Sequence, residues 1–316
     1  MSARVQGPPK STPHRGRWGF STTSLGAILR RDCPPRLYKY FAADRWRFFS
    51  DLRVRYSQLG VFNDPFEGRP EITSLSSKED TLATLGRVLP EEIERAYAQL
   101  PKHVQAAISY KQVFLLAEQL AQIKQPEMLG ALELITPHAA SFITGKIDQA
   151  LGVLCLSEVP DSLLMWAHYA SSHTGFVVEF DAWHPSFHEQ KSDEDDLRHL
   201  RRVYYRESRP SAPLSSMSAI ELFLVKSGHW GYEREWRIVR PLVDAVATVP
   251  AHPYPIRLFE IPAAAITEVI LGARMSDAMA ADMRNAIRAN TTLASLRIRR
   301  AIADSSHFLV RFEDDT

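Results

Sequence analysis

The sequence predicts an α+β domain, with a mixed, mainly antiparallel sheet and a helical insertion at about residues 88–146. Short apolar or alternating segments, typical of strands, occur on both sides of the insertion, for example at 53–57 and 152–157. Within it, apolar residues such as Ile93, Tyr97 and Leu100 recur at helical spacing. No internal repeat breaks this order, so one domain accounts for the pattern.

The individual elements follow from the same patterns and from capping residues. Strands are predicted at 36–40, 53–57, 152–157, 175–181, 202–205, 235–240, 257–261, 268–271, 296–301 and 308–312. Helices are predicted at 162–170, 218–226 and 276–289. Asp161 or Ser162 would cap the first of these helices and Ser276 the last. Residues 63–68 contain Asp-Pro and a closing glycine, which predict a loop.

Composition excludes several classes of protein. The 316 residues carry 38 Lys and Arg against 37 Asp and Glu, a formal charge of +1, so no global field attracts nucleic acid or an anionic membrane. The cysteines, Cys33 and Cys155, predict neither a disulfide framework nor a cysteine zinc site. No apolar run reaches the roughly 18 residues of a membrane span, and we expect a cytoplasmic protein. Residues 1–30 are basic and predict a disordered tail before a single domain at 31–316.

Several short motifs, taken in order, carry a family resemblance. They are Leu37-Tyr38-Lys39-Tyr40, Phe62-Asn63-Asp64-Pro65-Phe66-Glu67, Cys155-Leu156-Ser157-Glu158 with Met165-Trp166-Ala167-His168-Tyr169-Ala170, and the segment 226–237. Together they resemble the bacterial domain of unknown function family 2971, over about residues 36–275. That family has no assigned activity, so a function must be argued from the residues themselves.

The order of these motifs is also similar to the ADP-ribosyltransferase fold. That fold has an opening Tyr-basic-Tyr strand, a middle strand followed by a helix ending in Tyr-Ala, and a late strand bearing Glu-x-Glu. Tyr38-Lys39-Tyr40, Ser157 with Tyr169-Ala170, and Glu233-Arg234-Glu235 correspond to these pieces. The resemblance implies NAD as the substrate. Two features depart from the pattern: a lysine at position 39 where His or Arg is usual, and no Ser-Thr-Ser on a second strand.

Cleavage of the bond between nicotinamide and ribose passes through an oxocarbenium-like state, which a nearby carboxylate stabilises. Glu235 is the candidate for that role. Glu233 lies two positions earlier, on the same face of an extended segment, where it would orient or deprotonate the acceptor. The sequence therefore predicts an ADP-ribosyltransferase or an NAD glycohydrolase with Glu235 and Glu233 as catalytic residues.

Aromatic and cationic side chains are the candidates for binding the nucleotide. Tyr38, Tyr40, Trp166 and Tyr169 offer faces for stacking, and Lys39 or Arg36 offers a cation for the pyrophosphate. Strand alternation, however, places Lys39 on the face opposite to the two tyrosines unless the strand is twisted or bulged. The other candidate ligand-binding residues are Ser157, Asn63, Asp64 and Arg237.

Two further functions remain open at the level of sequence. A metal-dependent nuclease or phosphodiesterase would use Asp64, Glu67, Glu158 and His168, although their spacing fits no metal-ligand motif. A non-enzymatic nucleic-acid or partner-binding module, for example in phage defence, would use the basic and aromatic residues near Trp236, unless Arg237 is simply a solvated residue of a strand. The expected partners are a nucleotide-type small molecule and a protein or nucleic-acid acceptor, with no metal and no membrane.

Overall fold

The computed structural model describes residues 33–192, 195 and 197–315, so the predicted tail at 1–30 lies outside the described residues. The strands are β1 Arg36–Phe41, β2 Arg53–Tyr56, β3 Glu71–Ile72, β4 Leu151–Ser157, β5 Phe176–Asp181, β6 Arg201–Arg202, β7 Tyr204–Arg206, β8 Ser211–Ala212, β9 Val225–Ser227, β10 Glu235–Pro241, β11 Ala247–Val249, β12 Ile256–Glu260, β13 Ile266–Leu271, β14 Arg297–Ala303 and β15 Val310–Asp314. The helices are α1 Phe48–Asp51, α2 Lys78–Ala98, α3 Lys102–Ala107, α4 Tyr110–Ala150, α5 Leu163–Tyr169, α6 Ala219–Phe223 and α7 Asp277–Ala289.

An eight-stranded sheet, in the order β15-β14-β13-β5-β1-β4-β10-β6, organises the fold. Every neighbouring pair in it is antiparallel except β13 with β14. This confirms the predicted α+β class with a mixed, mainly antiparallel sheet. Smaller sheets pair β2 with β12, β3 with β8, and β7 with β9.

The central strands bury one face in the main hydrophobic core. Leu37, Leu156 and Trp236 come from the adjacent strands β1, β4 and β10, and all three pack in that core. Met283 and Ile287 of α7 cover it. Because side chains alternate along a strand, the residues between these apolar positions project from the other face of the sheet, where the candidate site lies.

The predicted helix at 218–226 is shorter in the structure. Ser218 and Glu221 form a capping box that starts α6, but the helix ends at Phe223. Residues Val225–Ser227 instead form β9, which pairs in parallel with β7. This pairing places Lys226 on a strand, with its ammonium group against Glu233 and Glu235.

Three helices, α2, α3 and α4, form a helical arm that occupies residues 78–150, somewhat more than the predicted insertion at 88–146. Its last turn is fixed to the body through the buried carboxylate of Asp148. Asp148 accepts hydrogen bonds from the Gly60 amide at 3.0 Å and from Arg69 at 3.0 Å. The arm therefore ends against the loop at 60–69. In the part of the chain that the structure covers, no helix combines the length and the apolar character of a membrane span.

Candidate active site

Three predicted site residues form one row across adjacent strands. Tyr38 on β1 lies opposite Ser157 on β4, and Ser157 lies opposite Glu235 on β10. Residues in register on neighbouring strands project from the same face of a sheet. All three line a single cavity of about 370 Å³ on that face.

Most of the predicted site residues line this cavity. They are Tyr38, Lys39, Tyr40, Asn63, Ser157, Tyr169, Glu233 and Glu235. The remaining lining residues are Ser57, Val61, Phe62, Glu67, Val153, Cys155, Leu156, Met165, His168 and Lys226. The structure thus brings four segments together around this cavity: β1, the 60–69 loop, β4 with α5, and the acidic segment at 233–235.

Glu233 and Glu235 both line this cavity, but the prediction that the segment joining them is extended is wrong. Glu233 ends a 3-10 helix, and Arg234 adopts a left-handed conformation with φ 44° and ψ 55°. That conformation is uncommon for a non-glycine residue, and hydrogen bonds on both sides hold it. The Ser157 hydroxyl donates to the Glu233 carbonyl at 2.6 Å, and the Glu158 amide donates to the Arg234 carbonyl at 3.2 Å.

Lys226 joins the two carboxylates. Its Nζ lies 2.6 Å from Glu233 Oε2, 3.1 Å from Glu235 Oε2 and 3.5 Å from Glu67 Oε2. Arg237 holds Glu235 from behind through a two-pronged contact, with both nitrogen–oxygen distances at 2.8 Å, and also contacts Glu67. We call Glu67, Lys226, Glu233, Glu235 and Arg237 the charge cluster. These five residues are buried, so their ionic groups depend on one another for solvation.

Burial and the neighbouring charges shift the pKa values of three residues of the charge cluster. Burial raises the pKa of Glu235, and Lys226 partly opposes that change. Burial alone would lower the pKa of Lys226, but Glu235 and Glu233 outweigh it and raise the pKa. Burial lowers the pKa of Arg237 to about 9, so its guanidinium still carries a charge at neutral pH.

Aromatic side chains surround the charge cluster on the cavity side. The Tyr169 hydroxyl donates to Glu233 Oε1 at 2.7 Å and accepts a bond of 3.4 Å from Asn63 Nδ2. Asn63 belongs to the predicted 63–68 loop, which is held by Asp64 Oδ1 accepting from the Phe66 amide at 2.9 Å. Tyr169 therefore links the loop to the acidic segment.

Lys39 shares the cavity with the tyrosines, contrary to the simple alternation of the strand. One residue pair, Tyr38 with Ser157, joins β1 to β4, and at the other end of β4 Val153 bridges Ser57. Between these points the Cys155 carbonyl accepts a hydrogen bond from Lys39 Nζ at 3.2 Å. Lys39 thus reaches into the gap beside β4, and burial lowers its pKa.

Three predicted ligand-binding residues do not line the cavity. Trp166 is fully buried behind Tyr40, with its indole nitrogen bonded to the Pro160 carbonyl at 2.7 Å, so it supports the wall and cannot stack on a ligand. Arg237 lies behind Glu235 and is also fully buried, which contradicts the interpretation of Arg237 as a solvated strand residue. Asp64 lines a second cavity.

The second cavity, of about 270 Å³, lies on the other side of the charge cluster. Glu67 and Lys226 line both cavities, so this ion pair forms part of the wall between them. Its remaining lining residues are Asp64, Phe66, Arg206, Glu207, Ser208, Arg209, Pro210, Val225, Ser227 and His229.

The four residues of the metal-dependent alternative do not share one site. Glu67 and His168 line the first cavity, and Glu67 and Asp64 line the second, but Glu158 lines neither and accepts a hydrogen bond from the Trp236 indole at 2.8 Å. Over residues 33–192, 195 and 197–315, no group of three or more His, Cys, Asp or Glu side chains is placed to hold a metal ion. Trp236 is buried in the main core, so it does not form one binding surface with Lys226 and Arg237.

Sequence reasoning did not place Lys226 or Glu67 in the proposed NAD site. The sequence predicts Lys226 at the end of a helix and within the motif segment 226–237, and it offers Glu67 as a loop residue and a candidate metal ligand. The feature that would identify Lys226 and Glu67 as site residues is their ion pair, which joins distant segments and which a single sequence does not reveal. Phe62, which neighbours Asn63 and contacts the Arg237 guanidinium at 5.5 Å from its ring centre, is a further cavity residue of this kind.

One segment of the chain matches a known protein family. Residues 165–238 match the model of the family described as "Protein of unknown function (DUF2971)", a narrower range than the 36–275 of the sequence resemblance. The matched segment contains Tyr169, Lys226, Glu233, Glu235 and Arg237. No curated protein and no solved structure matches the chain. The chain is therefore similar, over residues 165–238, to the DUF2971 family of proteins of unknown function.

Proposed function

We propose that this protein cleaves the bond between nicotinamide and ribose in NAD, as an ADP-ribosyltransferase or an NAD glycohydrolase. The observation that carries the proposal is the row of Tyr38, Ser157 and Glu235 across three adjacent strands, which opens into one cavity. These residues come from the three segments whose order resembles the ADP-ribosyltransferase fold. They converge in the cavity instead of pointing apart into solvent.

The charge cluster supplies the electrostatics that this reaction needs. As the bond from the ribose carbon to the nicotinamide nitrogen breaks, its electron pair leaves with nicotinamide and positive charge develops on the ribose. Glu235, held in place by Arg237 and Lys226, stabilises that charge without reorganisation. The nucleophile then bonds to the ribose carbon, and Glu233 is positioned to accept its proton.

The cavity has the size and lining that a nucleoside needs. Its volume lies near the lower end of the about 300–1,000 Å³ usual for ligand sites, so it would hold one half of a dinucleotide. Tyr38, Tyr40, Phe62 and Tyr169 provide aromatic surface for the base or the nicotinamide ring. Lys39 is engaged with the Cys155 carbonyl, so we assign it to the inner wall and no longer to the pyrophosphate.

The second cavity supports transfer to an acceptor over simple hydrolysis. An acceptor that replaces nicotinamide needs its own space beside the ribose carbon. The Glu67–Lys226 pair stands between the two cavities, so an acceptor in the second cavity would lie next to the carboxylates of the first. The proposal is compatible with a cytoplasmic enzyme that modifies a protein or nucleic acid, as in phage defence.

The direct test is incubation of the wild-type protein with NAD labelled in either half. We expect release of labelled nicotinamide, and with adenine-labelled NAD we expect either free ADP-ribose or label attached to an acceptor from a cell extract. Isothermal titration with NAD measures binding separately from turnover. A protein that neither binds NAD nor releases nicotinamide with any acceptor mixture would contradict the proposal.

The pH dependence of turnover gives a second prediction. Burial raises the pKa of Glu235 above the ordinary glutamate value of 4.5. A protonated Glu235 carries no charge, so we expect turnover to fall as the pH decreases through that raised pKa, well before an exposed glutamate would titrate. The measurement is the initial rate of nicotinamide release against pH, with circular dichroism confirming the fold at each pH. A rate that stays constant down to pH 4.5 would be inconsistent with this role.

A further inference from the structure

The 60–69 loop contributes to both cavities. Its residues that line the first cavity, the second or both are Val61, Phe62, Asn63, Asp64, Phe66 and Glu67. Short-range hydrogen bonds fix the local shape of the loop, for example from the Glu67 amide to the Asp64 carbonyl at 3.2 Å. The position of the loop relative to the sheet therefore decides where these side chains meet a ligand.

Both ends of this loop meet at one carboxylate, that of Asp148 near the end of α4. Asp148 Oδ1 accepts from the Gly60 amide at 3.0 Å, and Oδ2 accepts from Arg69 Nη2 at 3.0 Å. The Tyr254 hydroxyl donates a longer bond, of 3.4 Å, to Oδ2. Compact loops whose ends lie close together are frequently functional. We call Asp148, Gly60 and Arg69 the loop clamp.

The loop clamp is buried and closely packed. Asp148 is 1% exposed, so a bond lost there leaves a polar group without solvent to replace its partner. A Cβ atom on Gly60 would lie 2.7 Å from Asp148 Oδ2 and 3.0 Å from the Tyr254 ring. The clamp therefore needs a glycine at position 60, where the backbone approaches the carboxylate.

The two sides of the loop depend on the clamp to different degrees. Glu67 has attachments of its own, a contact with Arg237 and a distance of 3.5 Å to Lys226 Nζ. Phe62 and Asn63 come two and three residues after Gly60. The hydrogen bond from Asn63 to Tyr169 is long, at 3.4 Å. The side of the loop that faces the first cavity is therefore the side that the clamp has to hold.

We propose that Asp148 is a positioning residue: by holding both ends of the 60–69 loop, it sets where Phe62 and Asn63 meet a ligand in the first cavity. The kinetic part of this inference rests on the proposed function, because it takes NAD as that ligand. Asp148 itself lines neither cavity. The base of the helical arm thus contributes to the site through the loop.

The test is Asp148→Asn. Whichever way the new amide turns, its NH2 group replaces an acceptor, so either Gly60 or Arg69 loses its partner. We expect KM for NAD to rise about tenfold, the effect of losing one hydrogen bond to a charged group. We expect kcat to stay close to the wild-type value, because Arg237 and Lys226 hold Glu235 directly. Hydrogen exchange followed by mass spectrometry, without NAD, should show faster exchange of the amides at 60–69.

The matched control is Asp304→Asn. The side chain of Asp304 is 3% exposed, accepts from the Ser306 and His307 amides and pairs with Arg311. It lies between β14 and β15 and lines neither cavity. This variant should lose stability but keep the wild-type KM and the wild-type exchange of the loop.

A second variant, Gly60→Ala, opens the same clamp by crowding Asp148 and should reproduce both changes. Wild-type exchange of the loop in Asp148→Asn and Gly60→Ala would overturn the clamp. Faster exchange with an unchanged KM would overturn the positioning role, and so would an equal rise in KM for Asp304→Asn. If the wild type does not turn over NAD, the proposed function fails by itself, and the exchange comparison still decides whether Asp148 holds the loop.

Discussion

Replacing Glu235 with glutamine is expected to lower the rate of nicotinamide release from NAD by about 10²–10³-fold. The substitution keeps the shape of the side chain and one oxygen for Arg237, but it removes the negative charge that we assign to the developing oxocarbenium ion. Substrate binding should change much less, because that charge matters most in the transition state. The measurement is kcat and KM for NAD, with titration calorimetry for the affinity.

The control for this substitution is Glu268→Gln. Glu268 is also a buried glutamate paired with arginines, Arg299 and Arg297, but it lies on β13 and does not line the cavity. Both variants should lose stability, since Glu235→Gln weakens the partner of the buried Arg237 and Glu268→Gln weakens that of the partly buried Arg299. Only Glu235→Gln should lose turnover per folded molecule. Wild-type turnover per folded molecule in Glu235→Gln would show that Glu235 takes no part in the reaction. An equal loss of turnover in both variants would assign the effect to folding alone.

The strands that build the site could be predicted because each carries its own local pattern. The segments containing Tyr38, Ser157 and Glu235 were predicted as strands, and the structure confirms each as one. Alternation further predicts which side chains share a face. The order of the strands in the sheet depends on pairings between distant segments, which no local pattern contains. The resemblance of motif order grouped the three residues as one candidate site, but their row across adjacent strands is seen only in the structure. The ADP-ribosyltransferase activity remains a prediction.

Errors arose where tertiary pairing overrode the local signal. The helix predicted from Ser218 does begin there, with a capping box, but the pairing of β9 with β7 ends that helix early and places Lys226 in the charge cluster. Arg237 is buried in contact with Glu67, which comes from a loop far away in sequence. Neither position could be placed without knowing which loop covers the sheet. The family match at 165–238 covers Lys226 and Arg237 but not Glu67.

Replacing Lys226 with glutamine is expected to lower the free energy of unfolding by about 3–5 kcal/mol, the usual cost of removing one partner from a buried ionic group. Lys226 is the cation that contacts Glu233 and, at longer range, Glu67. Without it, the three carboxylates of the charge cluster retain Arg237 alone. Equilibrium denaturation in urea at neutral pH measures the loss, and retained circular dichroism at low urea shows that the variant still folds.

The sign of the pH dependence separates charge burial from simple packing. In Lys226→Gln the desolvated carboxylates should have pKa values above those of the unfolded chain, so the folded state binds more protons and stability falls as the pH rises. The deficit relative to wild type should therefore shrink toward mildly acidic pH. Lys124→Gln is the matched control, because Lys124 and Glu127 also lie 2.6 Å apart but are 66% and 73% exposed. Its effect should stay within about 0.5 kcal/mol of zero. A Lys226→Gln deficit that is small, or that is independent of pH, would mean that the charge cluster is far better solvated than its burial indicates.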